Sequence, residues 1–129
     1  MEHSAIIFLG GGLGAVGRHL VGLFALRHLG AGFPYGTLFV NVAGSLLIGL
    51  MIGIFAHRGA IGSSWQLFFT TGVLGGFTTF SAFSLDTLNL WQRGEVGLAA
   101  GYVAGTVAVS LLAVFVGLAI SRIILPVGS

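Results

Sequence analysis

The feature that most constrains this chain is a set of four long apolar stretches, which short segments containing glycine and arginine separate. A helix rises about 1.5 Å per residue, so about 20 apolar residues cross the hydrocarbon of a bilayer, and each stretch reaches that length. The predicted spans cover about residues 4–26, 36–56, 62–91 and 96–121. We therefore interpret residues 1–129 as a single transmembrane domain of the all-α class, without a soluble domain.

The composition excludes several other classes of protein. Only five basic and three acidic residues occur among 129, whereas about a quarter of the residues in a soluble domain are charged. The five basic residues are arginines that stand singly along the chain, so no nucleic acid partner is expected. The chain has no cysteine, and its four histidines lack the spacing of a metal site, so we do not expect an enzyme.

The arginines give almost no signal for one orientation in the membrane. With four spans, Arg58 and Arg122 fall on one side and Arg27 and Arg93 on the other. Cytoplasmic loops normally carry the excess of positive charge, and here Arg18 would at most tip the count to three against two. The near-tie leaves two alternatives open: a weakly biased single topology, or insertion in both orientations, which would give antiparallel dimers.

Small residues recur four positions apart in every span. In lipid, helices associate by close packing, and this spacing lets two backbones approach each other. We therefore predict helix-packing faces at four sets of residues. They are Gly10 and Gly14; Ser45, Gly49 and Gly53; Gly72 and Gly76; and Gly97, Gly101 and Gly105.

The second and fourth spans each carry three polar residues at i, i+4 and i+8. Each set occupies an arc of about 80° on its helix. Hydrocarbon penalises polar groups that lack partners, so the sets indicate either hydrogen bonds between helices or a hydrated pathway. Most of these groups can donate hydrogen bonds, which suits an anion better than a cation. The sets are Thr37, Asn41 and Ser45, and Tyr102, Thr106 and Ser110.

The third span contains poor helix formers near its middle. Gly72, Gly75 and Gly76 precede Thr78 and Thr79, which predicts a break near residues 75–79. Membrane proteins tolerate non-helical backbone where it is buried or lines a cavity, and they use the freed carbonyls of broken helices to hold Na⁺.

Beyond the predicted break, Phe80, Phe83, Ser84 and Thr87 share one helical face. Aromatic residues at this spacing commonly serve packing. A phenyl ring also has a positive edge, which can favour a small, partly dehydrated anion in a pore.

Three motifs together resemble the small bacterial fluoride channels, the Fluc or CrcB family. They are GGGLGAVGR at residues 10–18, GTLFVNVAG at 36–44 and GVLGGFTTFSAFS at 72–84. The resemblance implies a multi-pass protein of the bacterial inner membrane, with four helices per chain and the third one broken. It also implies an antiparallel, dual-topology homodimer of oppositely inserted subunits that encloses two fluoride pores.

The same resemblance implies roles for residues of the third span. Gly75 and Thr78 match the positions whose backbone carbonyls hold a structural, non-transported sodium ion at the dimer centre. Phe80 and Phe83 match the aromatic box beside each pore, and Ser81 matches a polar position next to it.

Other matched positions lie outside the third span. Asn41 matches the pore asparagine, and Arg18 matches an arginine near the aqueous vestibule, although a helix-end arginine that snorkels to the membrane surface is an alternative. The hydrogen-bonding track of the fourth helix matches Tyr102, Thr106 and Ser110.

Two positions depart from the pattern that the resemblance implies. Ala82 stands where a threonine is common, so one hydroxyl of the pathway is missing, and Asp86 stands where a glutamate is usual. Asp86 could be protonated, bonded to the opposite helix, or part of fluoride passage, and the sequence leaves these roles open. Thr37 belongs to the polar set of the second span, without a role that the resemblance implies.

The favoured function is passive, selective fluoride export that lowers fluoride in the cytoplasm and its toxicity. One rival is a small proton-coupled exporter of organic cations, which would need an exchangeable acid in the first span. Glu2 lies before that predicted span and Asp86 lies in the third. A structural subunit of a membrane complex is the other rival, but it would need neither aligned donors nor a glycine break followed by threonines.

Overall fold

The computed structural model describes residues 2–125, and every regular element within that range is helical. Residue 1 and residues 126–129 of the predicted domain lie outside this range. Four helical spans are long and apolar enough to cross a membrane, as the sequence predicted. They are His3–Leu29, Tyr35–His57, Ser64–Gln92 and Val96–Ile124.

Three of the spans consist of one uninterrupted helix each: α1 (Glu2–Leu29), α2 (Tyr35–His57) and α6 (Val96–Ile124). Helices α1 and α6 run beyond the predicted residues 26 and 121. Their last turns contain arginine, which we took as a boundary, but a cation near a helix C-terminus is favourable and does not stop the helix. Helix α1 ends at Leu29, and Gly30 follows it with a φ of 83°, which is accessible to glycine without strain.

The third span is assembled from shorter pieces. It begins with α3 (Ser64–Gln66), continues as a π-helix (Leu67–Leu74) and then as α4 (Gly75–Phe77). Thr78 and Thr79 follow with extended backbone, at φ/ψ of −85°/157° and −154°/124°. Helix α5 (Phe80–Gln92) completes the span.

Helix α1 packs on the first half of the third span through glycines. A Cβ atom added at Gly14 would collide with the Val73 carbonyl, and one added at Gly76 would collide with the Gly11 carbonyl. Gly10 and Gly72 meet in the same way. The predicted small-residue faces of these two spans therefore pack against each other, and their backbones touch.

Helices α2 and α6 form the most extensive pairing in the described chain. Gly49 lies against the Val114 carbonyl, Gly53 against Ser121, and Gly117 against the Leu46 carbonyl. The small-residue face of α2 therefore packs as predicted. The face of Gly97, Gly101 and Gly105 does not, because no heavy atom of residues 2–125 outside their own turn lies within 4 Å of a Cβ added there.

Arg93 joins the two loops at one end of the helices. Its guanidinium donates to the carbonyls of Ala31 (3.3 Å) and Gly32 (2.9 Å) and pairs with the Glu95 carboxylate at 3.1 Å. The loop between α1 and α2 is thereby fastened to the turn between α5 and α6. Helices α5 and α6 also share a small buried cluster that contains Phe83, Leu90, Ala99 and Tyr102.

Candidate functional site

The site is organised by the two extended residues in the middle of the third span. The Thr79 side chain caps the start of α5, because its Oγ1 accepts a hydrogen bond from the Ala82 amide at 3.1 Å. Threonine is a good N-cap residue, and it holds the non-helical backbone that this position needs. Thr78 is the last residue bonded to the preceding helix, through its amide and its hydroxyl, which both donate to the Leu74 carbonyl at 3.0 Å.

Asn41 of α2 holds this segment from the side. Its Oδ1 accepts from the Thr79 amide at 2.8 Å, and its Nδ2 donates to the Thr79 carbonyl at 3.1 Å. The side-chain amide thus replaces the backbone partners that Thr79 would have in a helix. Burying a polar side chain in a membrane span is costly unless it forms hydrogen bonds, and Asn41 forms them with the backbone of another span.

These bonds change the partners of two backbone carbonyls. In a continuous helix the Gly75 carbonyl would accept from the Thr79 amide, and the Thr78 carbonyl from the Ala82 amide. Here the Thr79 amide donates to Asn41, and the Ala82 amide donates to the Thr79 hydroxyl. The carbonyls of Gly75 and Thr78 are therefore released from the helical hydrogen-bonding pattern, and these are the two positions that the sequence predicted as cation ligands.

The released carbonyls are the kind of oxygen donor that hard cations prefer. Among the described residues no group of three or more His, Cys, Asp or Glu side chains could hold a metal ion. The oxygen donors at this segment are the carbonyls of Gly75 and Thr78 and the hydroxyls of Thr78 and Thr79.

A cavity of about 350 Å³ lies on one side of the segment. It brings together residues from α2, the third span and α6 that the resemblance assigned to two sites, the fluoride pore and the sodium site. The predicted site residues that line the cavity are Asn41, Gly75, Thr78, Phe80, Phe83, Thr106 and Ser110. Thr79, which the sequence analysis did not assign to the site, lines it as well.

The two phenylalanines differ in their surroundings. Their ring centroids lie 5.6 Å apart, with the ring planes inclined at 57°. Phe83 is 7% exposed and packs in the buried cluster, whereas Phe80 is 78% exposed. One ring of the predicted aromatic pair is thus fixed by the chain, and the other stands at the open side of the cavity.

The α6 side of the cavity carries two hydroxyl groups without partners. Thr106 Oγ1 and Ser110 Oγ are both shielded from solvent, and neither makes a hydrogen bond within residues 2–125. Hydroxyls in this situation usually bond to the carbonyl one turn back or to a neighbouring group. Both residues line the cavity, and the hydrogen-bonding capacity of their hydroxyls is unused within residues 2–125.

Two other residues predicted for the fluoride pore, Tyr102 and Ser81, are not among those that line this cavity. Tyr102 is 2% exposed, packs on Phe83 at 5.1 Å and donates from its hydroxyl to Asp86 Oδ2 at 3.3 Å. Ser81 is exposed, and its hydroxyl shares a hydrogen bond of 3.2 Å with Thr79 Oγ1. The sequence left three roles open for Asp86. The hydrogen bond from Tyr102 of α6 corresponds to one of them, a bond to the opposite helix.

Arg18 and Thr37 lie on the other side of the third span. Arg18 is half-buried, and its Nε donates to the Gly76 carbonyl at 3.2 Å. Both residues, together with Ala82, line a second cavity of about 240 Å³. Thr37 and Asp86 also line a third, of about 280 Å³, near Arg93.

Sequence reasoning missed Thr79 and Gly76. Thr79 contributes its amide, carbonyl and hydroxyl to four hydrogen bonds, and the Gly76 carbonyl is the partner of Arg18. A threonine directly before the periodic aromatic run that begins at Phe80 is an N-cap signal that could have identified Thr79. No local signal identifies Gly76, because its partner lies 58 positions away.

Comparison with known proteins gives one family match that covers most of the chain. Residues 5–118 match the family described as CrcB-like protein, Camphor Resistance (CrcB). The fluoride-specific ion channel FluC 2 of Nitrobacter hamburgensis is 52% identical over 117 residues, which span 91% of this chain and 94% of that protein. The fluoride-specific ion channel FluC of Rhodopseudomonas palustris is 54% identical over 119 residues, with 92% and 96% covered. That of Agrobacterium fabrum is 49% identical over 122 residues, with 95% and 98% covered.

Proposed function

This chain belongs to the CrcB-like family, and from that premise we propose that it is a fluoride-selective channel that lets fluoride leave the cell passively. It is a multi-pass protein of the bacterial inner membrane and not an enzyme. The relatives reported above are named fluoride-specific ion channels, and each is covered over nearly its whole length. The proposal for this chain also has support from its own residues.

The single observation that carries the proposal is the cavity beside Thr78 and Thr79. It combines two aromatic rings with the unpartnered hydroxyls of Thr106 and Ser110. Hydroxyl donors replace part of the water around a small anion, and the positive edge of a phenyl ring favours an anion without binding it tightly. Conduction needs such a balance, because an ion must both enter and leave.

We further propose that the carbonyls of Gly75 and Thr78 hold a structural sodium ion. One observation supports this: the amide four residues after each carbonyl donates to a side-chain oxygen, so neither carbonyl keeps its helical partner. When bound, the ion would compensate the partial negative charge of the released carbonyls and stabilise the extended segment as a break at membrane depth. It would not be transported.

The assembly that we propose is an antiparallel homodimer of oppositely inserted subunits, with the sodium ion at its centre and two fluoride pores. The near-even division of the arginines between the two sides supports insertion in both orientations. One chain supplies only two of the several oxygen ligands that a cation of this type takes, so a second copy would complete the set.

Export follows from the chemistry of fluoride. Fluoride enters cells as the neutral weak acid HF and is trapped inside as the anion. A passive pathway for the anion lets a membrane potential that is negative inside drive it out. No bond is made or broken on the protein, so no catalytic residue is required.

The test is anion efflux from liposomes that contain only the purified protein, with fluoride compared with chloride. We expect fluoride efflux and little or no chloride efflux, and equal efflux of both or none of either would overturn the proposal. Phe80→Ile or Phe83→Ile should reduce fluoride flux by at least about tenfold, equivalent to a barrier higher by about 1.4 kcal/mol. Dimer assembly, followed by size-exclusion chromatography in detergent, should persist.

The sodium proposal has its own test, which is the dependence of thermal stability on the cation present. Na⁺ should raise the melting temperature of the purified protein, whereas Li⁺ or K⁺ at the same ionic strength should raise it less. Equal stability in all three salts would contradict a specific sodium site. The rival exporter of organic cations has no support here, because the first span, His3–Leu29, contains no Asp or Glu.

A further inference from the structure

We propose that Arg18 is a positioning residue for the third span: its Nε–H occupies the Gly76 carbonyl and thereby helps to fix which backbone oxygens of the interruption remain available. This inference rests on the proposed function in so far as it concerns the same segment. It gives Arg18 a role other than attracting anions at a vestibule or snorkelling to the membrane surface.

Close packing brings Arg18 to this carbonyl. Gly11, Gly14 and Arg18 fall on one face of α1, at i, i+3 and i+7. The first two glycines contact the backbone of the third span, since a Cβ at Gly14 would meet Val73 and one at Gly76 would meet Gly11. The next side chain on that face is Arg18, and its Nε reaches the Gly76 carbonyl of the same contact at 3.2 Å.

The last turn of the helix before the interruption has four carbonyls that a continuing helix would satisfy. The Leu74 carbonyl accepts from Thr78, and the Gly76 carbonyl accepts from Arg18 at 3.2 Å. The Gly75 carbonyl lies between them and has lost the Thr79 amide to Asn41. The neighbours of Gly75 are thus engaged, and the Gly75 oxygen is left for a ligand.

The charge of Arg18 also suits this place. The guanidinium lies at the C-terminal end of the helical run 64–77, where the helix dipole is negative. An arginine inside a span is stable only with a partner of this kind, and backbone carbonyls are common partners. Without Arg18, the Gly76 carbonyl would need another donor, and the turn that carries Gly75 would lose an anchor.

The position of the donor atom allows a test that separates geometry from charge. Counted along the side chain, Gln Nε2 and Met Cε occupy the place of Arg Nε. Arg18→Gln therefore keeps a donor for Gly76 without the charge, and Arg18→Met removes both. The two variants are equal in charge, so their topological signals are the same.

Two measurements on the full-length protein are needed. The first is hydrogen exchange of the backbone amides in the segment 75–83, in detergent or lipid. We expect exchange at least about tenfold faster than wild type in Arg18→Met, as the loss of a bond worth about 1.4 kcal/mol would give, and within about threefold of wild type in Arg18→Gln. Equal exchange in both variants would overturn the proposal.

The second measurement is fluoride flux in liposomes at low and high ionic strength. We expect Arg18→Gln to retain more flux than Arg18→Met by about tenfold at both ionic strengths. Equal loss of flux in both variants, confined to low salt, would assign Arg18 to anion attraction instead. Arg27→Met is the control, because it removes an exposed arginine from the same helix and should change neither measurement.

The two proposals fail in different ways. If the wild-type protein carries no fluoride, the proposed function fails, while amide exchange still decides the role of Arg18. If wild-type flux is normal and the two Arg18 variants behave alike, only the positioning role fails.

Discussion

Two regions with the same sequence signature behave differently in this molecule. At the α1 contact, Gly10 and Gly14 pack on Gly72 and Gly76, and the nearby Gly76 carbonyl is bonded to Arg18. At the open α6 face, a Cβ added to Gly97, Gly101 or Gly105 would meet no heavy atom of residues 2–125 within 4 Å, apart from the nearby backbone of its own helix. The hydroxyls of Thr106 and Ser110 on the same helix have no partner in that range either.

The glycines of the α1 contact stabilise the folded chain, whereas the unpartnered groups of α6 remain available for a ligand or another molecule. Small residues at the α1 contact are needed because two backbones touch there, and a polar group that enters the contact finds a partner. Within residues 2–125, the glycines of α6 have no such backbone contact and the two hydroxyls have no hydrogen-bond partner. Substitutions at the α1 contact should therefore lower the free energy of unfolding, and substitutions of the α6 hydroxyls should lower fluoride flux. The following predictions test that division.

The largest effect is expected for Gly14→Ala. The added Cβ would collide with the Val73 carbonyl, and backbone cannot move aside as a flexible side chain can. The free energy of unfolding should fall by about 3 kcal/mol, the upper end of the cost of overpacking. Denaturant unfolding of the protein in detergent micelles would measure it.

Gly101→Ala is the matched control for Gly14→Ala. It makes the same change in a helix, but no described atom lies near the new methyl group, and alanine favours a helix over glycine by up to about 1 kcal/mol. Stability should stay the same or rise. A loss as large as that of Gly14→Ala would show that the open α6 face is also a packed contact in the folded assembly.

The next effect concerns Asn41→Leu. This change leaves the Thr79 amide and carbonyl without the partners that Asn41 supplies at 2.8 and 3.1 Å. An unpaired buried polar group costs about 1–3 kcal/mol, so we expect the free energy of unfolding to fall by about 2 kcal/mol and fluoride flux to fall with it. Asn89→Leu, at an exposed position of α5, should cost little. Equal effects of the two changes would mean that Asn41 does not hold the segment.

The sequence predicted the four spans well because length and hydropathy depend on local composition. The glycines and threonines predict a break within residues 75–79, and the extended residues Thr78 and Thr79 lie in that range. The functional role of this extended segment at membrane depth stays a prediction. The π-helix at Leu67–Leu74 was not foreseen, since no local pattern distinguishes it from an α-helix.

The partners of the site residues were harder to predict. Periodicity places a residue on a face of its helix but does not say which helix that face meets. Gly14 and Gly101 have the same spacing pattern and opposite surroundings. Asn41 was assigned to the pore by resemblance. The hydrogen bonds between its side chain and Thr79, 38 positions away, depend on the rotation of α2 against the third span.

A smaller effect is expected for Thr79→Ala. The hydroxyl that caps α5 is lost, and the Ala82 amide becomes free to bond to the Thr78 carbonyl. Loss of an N-cap costs about 1 kcal/mol, and the proposed sodium site would lose one of its released oxygens. Stability should therefore fall, and the stabilisation by Na⁺ should fall too. Thr79→Ser keeps the cap and should retain both, so a Ser variant as weak as the Ala variant would contradict this role of the hydroxyl.

The smallest effect on stability is expected where the effect on function should be large. Thr106→Val and Ser110→Ala remove hydroxyls that bond to nothing in the described chain, so the free energy of unfolding should change by less than about 0.5 kcal/mol. Fluoride flux in liposomes should nevertheless fall by at least about tenfold. Thr70→Val is the reciprocal control: Thr70 is buried as well, but its hydroxyl donates to the Gln66 carbonyl at 2.7 Å, and Thr70 is not among the residues that line the cavity. It should cost about 1 kcal/mol of stability and leave flux unchanged. If Thr106→Val destabilised the protein as much as Thr70→Val and conducted normally, the unpartnered hydroxyls would be structural, and the division between the α1 contact and α6 would not hold.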